Sequence, residues 1–210
     1  MKKIISVIMI CVLGLGILSS CGKDSAVQTN EPVDVLAKMQ EANVTGTRVS
    51  KNAYFNCYYV EYKDGKQVSE IGYFANPNSY IMDFNREEVY IVTVDRAVKY
   101  NPNDRASGIV AVQDESIKFT TCMEKKIFEV TDTTVLEKSE AMEDGSLKVV
   151  ISDSVKGESW FKINPDTYEI IEGQIEKFDE NGNVVGKIDI YCENDGAYQI
   201  PEWVQELMNN

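Results

Sequence analysis

The sequence predicts a mainly β (α+β) fold: an antiparallel meander of about ten strands, with one N-terminal helix and two short helices. Three observations predict it. From Gly157 to Cys192, two turn signals, Asn164-Pro165-Asp166-Thr167 and Asn181-Gly182, separate three runs of alternating apolar residues. From Arg48 to Ala75, two aromatic-rich runs flank a second hairpin dipeptide, Asp64-Gly65. An Asn-Pro-Asn/Asp turn also occurs three times, at Asn76, Asn101 and Asn164. A sheet this long must close, curl or be covered to hide its edges.

The chain opens with Met1-Lys2-Lys3 and the apolar run Ile4 to Leu18, shorter than the roughly 20 residues that span a bilayer. Residues 1–20 therefore read as a signal peptide. Leu18-Ser19-Ser20-Cys21-Gly22 resembles the bacterial lipobox, which makes Cys21 the expected lipid attachment site and mature N-terminus. Two acyl chains hold a protein on a membrane where one is marginal. Residues 21–31 are then the lipidated cysteine and a small, polar tether. Residues 32–210 form one domain, since a chain of this length supports one buried core and shows no second linker. The expected location is extracytoplasmic, lipid-anchored to the cell membrane or outer membrane.

Within the domain, Val35, Leu36, Met39 and Ala42 recur at helical spacing behind Pro32. A hairpin closed on Asp64-Gly65 sets Tyr58 opposite Ile71 and Phe55 opposite Phe74. Its aromatics, Tyr54, Phe55, Tyr58, Tyr59 and Tyr62, exceed what a one-sided sheet uses, so either one face lines a cavity or both faces are covered. Further strands are read over 79–84, 88–94, 97–100, 127–138 and 146–153. Asp114 starts a helix within Val112–Lys125, and Pro201–Met208 forms a terminal helix. In the last hairpin a two-residue Asn181-Gly182 loop pairs Ile175 with Ile188, Gly173 with Ile190 and Ile171 with Cys192 on an apolar face. The other face pairs Glu176 with Lys187 and Gln174 with Asp189.

Net charge is −13 over the whole chain; without Lys2 and Lys3, 19 basic stand against 34 acidic residues, or −15. That balance argues against nucleic acid or anionic headgroups as partners. The chain has no histidine, which removes Ser-His-Asp and Cys-His catalysis, and no phosphate-binding glycine loop precedes a helix. We therefore expect no enzyme, no catalytic residue, no metal and no cofactor. Cys57, Cys122 and Cys192 remain once Cys11 and Cys21 are set aside; one disulfide and three buried thiols both suit them.

The N-terminal helix, the aromatic hairpins, the Trp160-Phe161-x-Ile163-Asn164-Pro165-Asp166-Thr167 turn and the Asp179-Glu180-Asn181-Gly182-Asn183 turn together resemble the LolA/LolB lipoprotein carriers and LprG-type lipid-binding lipoproteins. The resemblance implies a strongly curved half-barrel over an apolar cavity lidded by helices, and a lipid, acyl chain or lipidated protein as ligand. Cys21 makes the chain more similar to the anchored members. Apolar strand positions supply the candidate ligand-lining residues: Phe55, Tyr59, Tyr73, Met82, Ile91, Trp160, Ile171 and Ile175. Each also suits an ordinary core position. The competing reading is an envelope scaffold that binds protein through an exposed sheet edge, and on either reading the chain is expected to be a monomer.

Overall fold

The computed structural model describes residues 35–154, 157–179 and 181–209. The expected signal peptide, Cys21 and the tether lie outside the described residues. Eleven strands form one antiparallel sheet that does not close. They are β1 (Phe55–Lys63), β2 (Lys66–Asn76), β3 (Ser79–Phe84), β4 (Glu88–Thr93), β5 (Ala97–Tyr100), β6 (Ile109–Ala111), β7 (Thr134–Ala141), β8 (Leu147–Asp153), β9 (Gly157–Ile163), β10 (Ile170–Phe178) and β11 (Val184–Glu193). Four α-helices accompany them among the described residues: α1 (Val35–Ala42), α2 (Thr45–Asn52), α3 (Phe119–Met123) and α4 (Glu202–Asn209). The architecture is the mainly β half-barrel that the sequence predicts.

The strand order, β6-β5-β4-β3-β2-β1-β11-β10-β9-β8-β7, corrects the expectation of a single meander. There are two. The first runs outward from β1 to β6, a crossover carries the chain to the opposite edge, and the second runs inward from β7 to β11. The last strand thus pairs with the first, through Cys57 with Cys192, Tyr59 with Ile190 and Glu61 with Ile188. The facing Cys57–Cys192 and Tyr59–Ile190 pairs stabilise this central seam.

Alternation gives the sheet two different faces. The inner face carries Phe55, Cys57, Ala75, Tyr80, Met82, Val92, Val149, Ile151, Phe161, Ile163, Ile190 and Cys192, packed with Leu36, Met39 and Val49 of α1 and α2 into the main core. The outer face of β3, β4 and β5 carries Ile81, Val89, Ile91, Val98 and Tyr100, which Val204 of α4 completes as a second core. Fully burying one such side chain contributes roughly 1.5–3 kcal/mol. The cavity-or-cover choice posed by the aromatic hairpin therefore resolves as both. Tyr58 and Phe74 meet edge to face at 5.4 Å on the outer side, and Phe74 stacks on Tyr198 at 4.7 Å, while Phe55 and Tyr59 point inward.

The turns behave largely as their residues dictate. Asp64 and Gly65 hold φ 51° and 71°, the type I′ pair. At all three Asn-Pro sites the asparagine Oδ1 accepts main-chain N–H bonds from two or three residues ahead: Asn78 and Ser79 to Asn76, Asn103 to Asn101, Asp166 and Thr167 to Asn164.

Two pairings depart from expectation, each at a bulge, and in the last hairpin the turn differs while the register holds. Between Glu61 and Tyr62 the β1–β2 register shifts, so Tyr58 faces Gly72 and Asn56, not Phe55, faces Phe74. In the last hairpin only Gly182 of the Asn-Gly pair has positive φ, 80°, and its N–H bonds Asp179 O, so the loop is a longer turn than type I′. A compensating bulge at Val184–Gly186 restores the expected Ile175–Ile188 and Glu176–Lys187 pairs. A third bulge between Ile170 and Glu172 removes Ile171 from its predicted place opposite Cys192; Ile170 is buried instead and Ile171 is 39 % exposed.

Helix α2 replaces the start of a strand predicted from Arg48. Its sequence, TGTRVSKN, is a poor helix former, and tertiary contacts supply what propensity does not. The crossover carbonyl of Lys125 accepts from both the N–H and the hydroxyl of Thr45. The strand predicted from Ile127 begins only at Thr134, because Ile127–Thr133 belongs to the crossover; Ile127 N–H bonds Asn43 O. The predicted Val112–Lys125 helix is a 3₁₀ turn, Glu115–Ile117, capped by Asp114 as expected, followed by the short α3.

Candidate functional site

A cleft of about 190 Å³ opens on the inner face, between β1–β2 and the Lys125–Ile127 stretch of the crossover. Strand alternation sends Phe55, Cys57, Tyr59 and Glu61 of β1, Ser69, Ile71 and Tyr73 of β2, Tyr80 of β3 and Ile188 of β11 into it. Thr45, Lys125, Lys126 and Ile127 close it from above. The roof is held by main-chain bonds from Thr45 to Lys125 and from Ile127 to Asn43, and by the Val44–Lys126 bridge.

The walls are aromatic and neutral. Tyr59 meets Tyr73 edge to face at 5.5 Å, and Tyr73 lies 6.0 Å from Tyr80. Burial pushes the phenols of Tyr59, Tyr73 and Tyr80 up, so all stay protonated through the physiological range. Burial, together with its hydrogen bond to Cys192, raises the Cys57 thiol well above its ordinary value. The charged lining residues are Glu61, Lys125 and Lys126. The Lys125 ammonium lies 4.6 Å over the Tyr73 ring, Lys126 pairs with Glu129 at 3.6 Å, and Glu61 pairs with Lys177. Among the described residues no buried side-chain nitrogen or oxygen lacks a hydrogen-bond partner. Shape and apolar contact, not a waiting polar group, are what this cleft offers.

A network under α2 fixes the roof to the sheet. Arg48 is 1 % exposed. Its guanidinium donates to Asn43 Oδ1 and Ile170 O at 3.0 Å and to Asn194 Oδ1 at 2.8 Å, and it lies 4.7 Å over the Phe55 ring. Glu169, 3.9 Å from Arg48, accepts from Asn52 and Asn194.

Of the eight candidates, the structure brings Phe55, Tyr59 and Tyr73 to the cleft. Met82 is buried in the main core, and Ile175, paired with Ile188, packs against that core outside the cleft. The other three are corrections. Ile91 points to the outer core under α4. Trp160 stands opposite Gln174 on the outer face, with Lys148 5.3 Å over its ring. Ile171 is turned out by its bulge. Cys57, Ile71 and Tyr80 were within reach of the sequence, being two-residue or cross-strand neighbours of the candidates. Lys125, Lys126 and Ile127 carried no signal, because a crossover has no periodicity.

A larger groove of about 710 Å³ lies between the β4–β5 turn and residues 112–120, lined by Asp95, Arg96, Asp114, Glu115 and Lys118. Its charged side chains are solvated without a ligand, so the smaller aromatic cleft is the better candidate. Among the described residues no helix is long and apolar enough to cross a membrane, and no group of three or more His, Cys, Asp or Glu is placed to hold a metal ion.

No family model and no curated protein sequence matches the chain. Solved structures similar to it include a LolA superfamily protein, NE2245 from Nitrosomonas europaea, at 7% identity and TM-score 0.30 over 80% of this chain and 94% of that one. A DUF1329 family protein from Desulfovibrio piger has 11% identity and TM-score 0.33 over 77% and 92%. A chain of the Pseudomonas aeruginosa MucA/MucB complex has 11% identity and TM-score 0.34 over 82% of this chain and 59% of that one. At these identities and TM-scores the likeness transfers no residue's role.

Proposed function

We propose that the chain is an extracytoplasmic lipoprotein, anchored through Cys21, whose inner cleft binds an acyl chain or similar hydrophobic group, as a binding or carrier protein without catalysis. The observation that carries this is a cleft walled chiefly by neutral aromatic and aliphatic side chains, whose three charged lining residues are each engaged, Lys125 over Tyr73, Lys126 with Glu129 and Glu61 with Lys177. Its volume lies below the roughly 300–1,000 Å³ of sites that engulf a whole ligand. At about 30 Å³ per water-sized group it takes about six methylenes. At about 0.8 kcal/mol each, these contribute about 5 kcal/mol, a dissociation constant of a few tenths of a millimolar. The cleft therefore grips the end of one chain, from a lipid or a lipidated protein, and releases it readily.

Binding of protein through a sheet edge is the weaker reading. Edge strand β7 carries a bulge between Leu136 and Lys138 and a Lys138–Glu140 pair, and edge strand β6 is three residues long. Short, charged and bulged edges are how sheets prevent strand addition.

The test is a titration of the purified protein, and of an Ile71→Glu variant, with octanoate up to several millimolar, with the N-terminal peptide analysed separately by mass spectrometry. Saturable one-site binding with a dissociation constant of a few tenths of a millimolar, lost in Ile71→Glu, is expected, with diacylglycerol on Cys21. Equal binding by both proteins, or none by either, refutes the cleft. An unmodified N-terminal peptide refutes the anchor.

A further inference from the structure

Cys57 and Cys192 are direct partners across the β1–β11 seam, both buried, with their sulfurs 3.1 Å apart. Directly opposed residues of an antiparallel pair hold their Cβ atoms about 4.5–5.5 Å apart, and a disulfide takes about 3.5–4.5 Å with a sulfur separation of about 2.05 Å. Closing the pair thus asks the sulfurs to approach by roughly 1 Å, within the reach of small χ1 rotations and a slight narrowing of the seam. Two thiols 135 residues apart in sequence meet here only when the last strand docks on the first.

We propose that Cys57 and Cys192 form a disulfide that staples the first strand of the sheet to the last. The oxidant is itself a disulfide, low-molecular-weight or protein-borne. Two S–H bonds break and one S–S bond forms between the cysteines; the oxidant takes up the two electrons and two protons and leaves as two thiols. Cys57 stays protonated at neutral pH because burial raises its thiol, so exchange in the closed fold is slow. Reaction proceeds as β11 docks or when the seam opens transiently. The seam joins the two meanders, so the bond locks the one junction whose opening separates them. Cys57 also floors the cleft, and the bond draws its sulfur toward Cys192. The proposal does not depend on what the cleft binds.

The experiment unfolds and reduces the full chain, refolds it in a glutathione redox buffer, blocks remaining thiols with N-ethylmaleimide and maps peptides without reduction. A Cys57–Cys192 cross-linked peptide, lighter by two hydrogens than the sum of its parts, is expected as the main species. It should persist in Cys122→Ser, and reduction should lower the melting temperature by on the order of 10 °C. Maleimide-labelled Cys57 and Cys192 peptides as the main product, or either residue linked to Cys122, overturn the proposal.

Discussion

Replacing Arg48 by Met isolates the charge from the packing of the side chain that ties the cleft's roof to the sheet. Methionine fills the aliphatic stem and keeps contact with Phe55, but it removes the bonds to Asn43, Ile170 and Asn194 and leaves Glu169 without its cation. Asn43 Oδ1 keeps the N–H of Ile170, and Glu169 keeps the amides of Asn52 and Asn194, so the damage concentrates on the Ile170 carbonyl, Asn194 Oδ1 and the Glu169 charge. Breaking one side of a buried pair costs about 3–5 kcal/mol. A domain of this kind has about 5–15 kcal/mol in all. With a urea dependence of about 2 kcal/mol per molar, the midpoint should fall by about 2 M. Arg48→Met with Glu169→Gln should recover about 2 kcal/mol of the loss, since the uncompensated charge is then gone. Urea unfolding of the four proteins of the cycle decides it. A loss under about 1 kcal/mol for Arg48→Met, or strict additivity in the double variant, refutes the view that the network is held by this ion pair.

Other perturbations bear on other parts of the fold. Gly173→Ala puts a Cβ 2.6 Å from Phe161 and 2.8 Å from the Trp160 carbonyl oxygen, and should cost about 1–3 kcal/mol in urea unfolding. Gly182→Ala meets open space and pays only for its positive φ, about 1–2 kcal/mol. Tyr59 and Tyr80 have folded pKa values above the unfolded value of about 10. Their contribution is full below pH 10 and is lost as pH rises toward the folded values, because the unfolded chain then releases protons first. Stability should decline by up to about 1.4 kcal/mol per pH unit for each tyrosine, and Tyr59→Phe should flatten the slope measured between pH 9 and 11. Asp144 lies 2.7 Å from Lys162, which, with the Ser146 hydroxyl and N–H, holds its carboxyl well below the usual range. Whatever stability this contributes is present above pH 4 and lost as pH falls through the depressed value. Carboxyl NMR titration should show the Asp144 midpoint rising in Lys162→Met; an unchanged midpoint refutes the pairing.

The sequence made local geometry legible wherever a turn has chemistry of its own. Asp64-Gly65, the three Asn-Pro turns and the polar pairing of Glu176 with Lys187 follow from residue identity alone. What stayed hidden was set by tertiary partners. A bulge depends on which backbone groups the neighbouring strand offers, so Val68 and Ile171 gave no sign that they would shift a register. Helix α2 was concealed because its core positions are Thr45, Arg48 and Val49, and an arginine at a core position reads as solvent-facing until Asn43, Glu169 and Asn194 are seen around it. The same distinction sorts the candidate residues. Phe55, Tyr59 and Tyr73 reach the cleft by simple alternation, whereas Ile91 and Trp160 have the right chemistry on the wrong face, and face is assigned by whichever helix covers each side.

The position of the cleft follows from how the cover is distributed. On the outer face α4 and the segment from Tyr198 to Ile200 cover the apolar surface of β2 to β6. Beyond them that face carries Glu172, Gln174, Lys162 and Lys187, which water serves directly. On the inner face the chain must travel from one edge of the sheet to the other, and the crossover does so by packing against α1, α2 and the inner face of β3. Its path crosses β1–β2 at Lys125–Ile127, short of the strand tips, where Tyr59, Ile71 and Ile188 remain partly uncovered. Lengthening the cover there would bury those side chains and add stability, so apolar burial is left incomplete beside the aromatic wall of Tyr59, Tyr73 and Tyr80. Filling it from within distinguishes a binding site from a packing defect. Ser69→Leu supplies a side chain aimed into the cleft and should raise the urea midpoint while abolishing saturable binding of a fluorescent fatty acid. If the midpoint rises and binding is unchanged, the ligand does not enter between β1, β2 and the crossover.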